Sequence, residues 1–176
     1  MKQAVPSREG IEGGLFRRIM GGFATGVAVV ASTDRRGLAG MTVNSLTSVS
    51  LAPPLLLMCL ARDTRTADAV ATRGAFTVNL LAAHQGAASD RFARPGRDPF
   101  DGFAVERDAD GLPALAEGLG HLACTTEAIH AGGDHLIVVG RVVGGELEQG
   151  SPLVFFRGKY DTLTGRGSDA VLDWYW

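Results

Sequence analysis

The run HLACTTEAIHAGGDHLIVVGRVVGGELE, residues 121–148, constrains the fold more than any other stretch of this chain. Two long, apolar, β-branched segments flank Ala131-Gly132-Gly133-Asp134, which predicts a pair of long strands turned back on each other. The same grammar recurs upstream. GVAVVAS, the turn-like DRRG and LAGMTV predict a hairpin over residues 26–43, and FTVNLL and PLVFFRGKY add further strands. Helical signals are short. Leu15, Ile19 and Phe23 recur at four-residue intervals before Gly21-Gly22 closes the pattern, TRTADAVATRG carries a narrow Ala67/Val70/Ala71 stripe ended by Gly74, and in AAHQGAASDRFA Ala88 and Phe92 share a face. Six or seven strands joined mostly by hairpin-like turns, without a strand–helix–strand rhythm, predict a mainly β, closed antiparallel barrel with a few short flanking helices.

Two stretches resist this scheme. In GMTVNSLTSVSLAPPLLL, residues 40–57, polar side chains fall in pairs roughly every third position, a spacing that suits neither strand nor helix and suggests a bulged or looping edge. Thr42, Asn44, Ser45, Thr47, Ser48 and Ser50 either satisfy their own backbone or face a ligand; the pattern alone allows both. Pro53-Pro54 should break the ladder, and LLLMCLA behind it reads as a strand buried on both faces. From Arg94 to about Gly118 the chain is rich in Gly, Pro, Asp and Arg and predicts a long functional or packing loop.

Length and charge bound the function. The 176 residues suit one domain with a sizeable core, and a net charge of −2 offers no broad basic surface for a nucleic acid. No apolar run approaches the ~20 residues of a membrane-spanning helix, and MKQAVPSREG lacks the apolar centre of a secretion signal, so a cytoplasmic protein is expected. Cys59 and Cys124 sit in apolar runs with no CxxC spacing and no clustered histidine; neither a metal site nor a disulfide is expected.

Three places can carry chemistry. Thr64 and Thr66, beside Arg62 and Arg65, start a predicted helix, where free N–H groups and the dipole favour an anion such as phosphate. Plain capping explains the threonines equally well, and Asp63 would repel a phosphate unless it turns away. His135 follows a Gly-Gly-Asp turn at a strand start, where it either meets a ligand or pairs structurally with Asp134. The polar run 42–50 is the third. No GxSxG, HExxH, Walker loop or post-strand GxGxxG is present.

In order along the chain, FATGVAVV (23–30), GMTVNSLTSVSLAPPLLL (40–57), CLARDTRT (59–66), FTVNLL (76–81), RFA (91–93), DPFDGF (98–103), GDHLIVVGRV (133–142) and PLVFFRGKY (152–160) resemble the short-chain flavin reductase family. The resemblance runs from about Phe16 to Tyr160 and implies an FMN-binding, Greek-key split β-barrel over residues 13–162, with a leader at 1–12 and a tail at 163–176. It implies a homodimer that reduces FMN or FAD with NADH or NADPH and hands free reduced flavin to a separate monooxygenase. By position, Thr42, Val43, Asn44, Ser45, Ser48 and Val49 would line the isoalloxazine, and Ala61, Arg62, Thr64 and Thr66 would hold the ribityl phosphate. Phe92 would lie near the flavin, and His135, with Tyr160 beside it, would flank the nicotinamide. Asn44 and Leu46 stand where members of that family often carry serine and phenylalanine. The rival readings are a flavin- or haem-binding module without turnover, a relative of the pyridoxamine phosphate oxidases, or a plain dimerisation domain. The aromatic end Asp173-Trp174-Tyr175-Trp176 is expected to pack across a dimer or close over the ligand.

Overall fold

The computed structural model describes residues 10–163 apart from Pro95, Arg97 and Ala109, so most of the expected leader and the aromatic end lie outside the described residues. Helix α1 (Gly13–Met20) is followed by β1 (Thr25–Gly26), β2 (Ala28–Asp34), β3 (Gly37–Val43), β4 (Thr47–Leu51) and β5 (Pro54–Ala61). Then come α2 (Arg65–Arg73), β6 (Ala75–Leu80), α3 (Gly86–Phe92), β7 (Val105–Arg107) and β8 (Pro113–Leu115). The chain continues with β9 (Gly120–Gly132), β10 (His135–Leu147), β11 (Val154–Phe156) and β12 (Lys159–Asp161). Among the described residues no helix is long and apolar enough to cross a membrane.

Seven strands form one sheet in the order β3-β2-β6-β9-β10-β5-β4, every neighbouring pair antiparallel. Its two edges, β3 and β4, are consecutive in the chain and linked only by Asn44, Ser45 and Leu46. So short a link holds the edges near each other, yet no ladder joins them, and the closed barrel expected from the sequence is not formed among the described residues. Ser45 Oγ donates to the Cys59 carbonyl at 3.0 Å and accepts the Cys59 N–H at 2.9 Å, which continues the β4–β5 register beyond Thr47, so the link already runs along β5 and does not turn back as a hairpin onto β3.

The proline pair does not break the ladder either. Leu51 pairs with Pro54 across the turn, Ala52-Pro53 forms its corner, and the phase slip foreseen in the polar run is a register shift between Ser48 and Ser50. Strand β5 is not buried on both faces: Leu56, Met58 and Leu60 are buried, while Leu55, Leu57 and Cys59 alternate with them at the half-buried level. Strand β2 is covered on both faces, as is its neighbour β6, and two cores meet on β2. Val30, with Met58, Leu60, Phe76, Val78 and Val138, packs beneath Ala67 and Val70 of α2; Val29 and Ala31 on the other face pack with Leu81, Phe92, Phe100 and Leu115.

The expected last strand is two short ones, β11 and β12, which pair with β1 in a separate three-stranded sheet. The expected loop from Arg94 to Gly118 contains the β7–β8 hairpin. It is fixed by a buried amide: Asn79 Oδ1 accepts the Leu115 N–H at 2.7 Å, and Asn79 Nδ2 donates to the Val29 carbonyl at 3.0 Å. Cys124 is buried, and burial pushes its thiol up to about 12, consistent with an inert core residue. Replacing Asn79 by alanine strands the buried Leu115 N–H, worth about 1–3 kcal/mol when left unpaired, whereas the Val29 carbonyl keeps its partner in the β2–β6 ladder. Asn79→Ala is therefore expected to lower the unfolding free energy by about 1–3 kcal/mol in a urea titration.

Candidate functional site

The site is built on the free edge of β3. Asp34 and Gly37 pair across a two-residue turn, so residues 39, 41 and 43 bond β2, and the N–H and C=O groups of Gly40 and Thr42 point away from the sheet. One side of this edge is flanked by the start of α2, the other by α3. Thr64 caps α2, its hydroxyl accepting the Ala67 N–H at 3.2 Å, and also lies 3.7 Å from the Met41 sulfur. On the α3 side Thr42 Oγ1 donates to the Ser89 carbonyl at 2.6 Å.

Two cavities open along the edge and meet at Ala93, which lines both. The larger, about 510 Å³, is walled by Gly40, Met41, Thr64, Arg65, Thr66 and Phe92, with Asp63 and Arg94 also on its lining. The smaller, about 170 Å³, is lined by Thr42, Val43, Asn44, Ser89, Phe155 and Tyr160. Of the residues singled out in the sequence, Thr64, Thr66 and Phe92 line the larger cavity, and Thr42, Val43, Asn44 and Tyr160 line the smaller one, Tyr160 away from His135. Ser45, Ser48, Val49, Ala61, Arg62 and His135 line neither cavity.

Thr42, Ser45 and Thr47 donate their hydroxyls to backbone carbonyls, as a self-satisfying loop would. Asn44 lines the smaller cavity, and Ser48 lies across the seam on β4, opposite Leu56. At the helix start, Arg65 replaces Arg62 as the cavity arginine, while the Arg62 N–H bonds the Asp134 carbonyl at 3.0 Å.

That last bond ties the helix start to the Gly-Asp-His turn. His135 lies opposite Ala61 in the β10–β5 ladder, and the Ala61 carbonyl accepts from Thr64 Oγ1 at 2.8 Å. Ser45 binds the same strand two residues earlier, at Cys59. The polar loop, the capping threonine and the histidine therefore stand in sequence along the end of β5, with His135 on the rim and its imidazole half-exposed. Its Nδ1 lies 2.8 Å from Asp134 Oδ1, and the ring beside it holds the Asp134 carboxyl below the usual carboxylate range. At the other cavity, Tyr160 OH reaches Ser89 Oγ at 2.8 Å and Asp90 Oδ1 at 3.0 Å, and burial raises its pKa. Its place was legible only through the resemblance.

The flavin reductase like domain family matches residues 20–164. This chain belongs to that family. A reductase subunit of a flavin-dependent monooxygenase from Rhodococcus jostii, HsaB, is 36% identical over 153 residues, covering 86% of this chain and 78% of its own. A probable flavin reductase of Rhizobium meliloti is 39% identical over 161 residues, 90% of this chain; the chain spans 52% of that relative's length. The crystal structure of the Streptomyces globisporus NADH:FAD oxidoreductase SgcE6, in complex with NAD and FAD fragments, superposes with a TM-score of 0.80 at 34% identity, covering 88% of this chain and 93% of that one.

Gly40 has a role that the family blocks do not reveal. A Cβ there would fall 2.9 Å from both Phe92 Cε1 and Phe100 Cζ, so glycine is what lets the two rings pack directly against this strand. Gly40→Ala is expected to push Phe92 toward the larger cavity at about 1–3 kcal/mol of overpacking, read as a lower melting temperature together with a flavin dissociation constant raised about tenfold, some 1.4 kcal/mol.

Proposed function

We propose that this protein is an NAD(P)H-dependent flavin reductase that binds FMN or FAD, reduces it with NADH or NADPH, and supplies free reduced flavin to a separate flavin-dependent monooxygenase. The carrying observation is the alignment of a free strand edge, an amide-lined cavity and a threonine- and arginine-lined cavity along β3. A flavin nucleotide needs that order: amide-like donors and acceptors for the ring edge, then a phosphate cradle. The donor set fits, because the Thr66 hydroxyl and the Arg65 guanidinium lie at the start of α2 beside the first N–H groups that the Thr64 cap does not take, while Thr64 itself holds the turn through Ala61 and Ala67.

When bound, the flavin ring accepts a hydride from the nicotinamide, chemistry that belongs to the two nucleotides and requires no protein nucleophile. The chain's own task is placement. Backbone groups of Gly40 and Thr42, with the Asn44 amide, are positioned to hold the ring edge and stabilise charge that grows there during reduction. Phe92 and Tyr160 close the cavity sides against water. His135 shares its Nδ1 proton with Asp134, which leaves Nε2 to orient the nicotinamide carboxamide at the rim. Residues that held both nucleotides in one fixed orientation would make the transfer effectively unimolecular.

The finer features follow from the same reading. Residues 13–162 form one split-barrel unit whose Greek-key barrel is left split along the β3/β4 seam. Two copies form a homodimer, to which α1 contributes: Leu15, Phe16, Ile19 and Met20 are all exposed in the single chain, and α1 buries none of its residues. The protein works in the cytoplasm, where NAD(P)H and the partner oxygenase are at hand.

Anaerobic mixing of the purified protein with FMN or FAD and NADH or NADPH tests the reading. Catalytic loss of both absorbance bands is expected, and no rate above background with any of the four pairs would end it. In the same assay His135→Ala should raise the nicotinamide KM or lower kcat by about 10²-fold, the scale of a lost orienting group, with flavin affinity nearly unchanged. Equal losses for both nucleotides would remove His135 from the nicotinamide side.

A further inference from the structure

The larger cavity holds one charge whose position is fixed. Arg94 is mostly exposed, with its nearest carboxylate, Asp90, 3.7 Å away. Arg65, by contrast, is gripped from one side. Its Nε donates to Asp34 Oδ2 at 2.9 Å and its Nη2 to Asp34 Oδ1 at 2.7 Å, a two-point fork that fixes the guanidinium plane. Asp34 belongs to neither the polar run nor the helix start. It ends β2 at the β2–β3 turn, 31 residues before Arg65, and the Arg36 N–H donates to its Oδ1 at 2.7 Å, so the turn itself holds the carboxylate. Arg65 and Arg36 keep the Asp34 carboxyl well below the usual range, so the clamp stays charged throughout the neutral region.

The fork uses only the Nε edge of the guanidinium. Nη1 and the second Nη2 hydrogen form no hydrogen bond among the described residues, and Arg65 lines the cavity between Thr64 and Thr66. We infer that Asp34 is a positioning residue for flavin recognition: it turns the free edge of Arg65 toward the flavin's phosphate, so that the site selects phosphorylated flavins over riboflavin. The inference rests on the reductase reading and names what that site discriminates. A free arginine surrenders rotamer entropy when it grips a ligand. One already clamped by a carboxylate surrenders less and meets a planar pair of phosphate oxygens with a matching fork. The cost is the negative charge of Asp34 itself, which lies behind the guanidinium.

The test compares FMN with riboflavin, titrated by flavin fluorescence and turned over with NADH, in four proteins. The natural protein is expected to bind FMN at least tenfold more tightly than riboflavin. Asp34→Asn, nearly isosteric, should weaken FMN three- to tenfold and leave riboflavin affinity, and kcat at saturating FMN, unchanged. Arg65→Gln should weaken FMN at least as much, and Asp34→Asn added to Arg65→Gln should have no further effect, because Asp34 acts only through Arg65. Equal binding of the two flavins by the natural protein, an Asp34→Asn variant with FMN affinity unchanged or increased, or a parallel loss for FMN and riboflavin accompanied by a lower melting temperature would each overturn the assignment. Absence of turnover with both flavins in the natural protein would instead defeat the reductase reading.

Discussion

The structure depends on a sheet whose two edges are consecutive strands that do not pair. An antiparallel ladder that closed between β3 and β4 would consume the backbone groups of Gly40 and Thr42, and those are the groups a planar heterocycle needs. Ser45 fixes how the link leaves β3: its hydroxyl satisfies both polar groups of Cys59 and pins the connecting loop to β5 beyond the end of the β4 ladder.

Much of this was legible from the residue pattern, for a physical reason. Hairpins announce themselves by alternating or β-branched runs and tight turns, and the β2–β3 and β9–β10 pairs follow that grammar closely. The irregular polar run announced an edge because its period fits no regular element, and the structure places the seam there. Double burial was assigned to the wrong strand because LLLMCLA and AVVAS are equally apolar. What separates them is which strand lies between α2 on one face and the Phe92/Phe100 cluster on the other, a property of topology and not of composition.

The site shows the same division. Threonines at a helix start are local signals, so Thr64 and Thr66 could be read directly. The Asp34–Arg65 fork joins residues far apart in sequence, and its carboxylate looks in isolation like an ordinary turn aspartate. The same holds for Asn79, which reads as a strand residue but carries the β7–β8 hairpin. Long-range polar pairs of this kind have no periodicity to reveal them.

The hydroxyls of the polar run also explain how the site can be both rigid and accommodating. Thr42 spends its proton on the Ser89 carbonyl, fixing α3 against the edge strand, and Tyr160 grips the same turn of α3 through Ser89 and Asp90. Phe92 and Ala93, at the end of that helix, are held over the junction of the two cavities. Side chains therefore build the frame, and the backbone groups of Gly40 and Thr42 are left pointing out from the edge. Backbone donors carry no net charge and cannot rotate away, so they are preorganised for charge that appears only during transfer. They are also nearly blind to the side chain at their own position, so replacements at 42 should alter the frame more than the edge groups themselves.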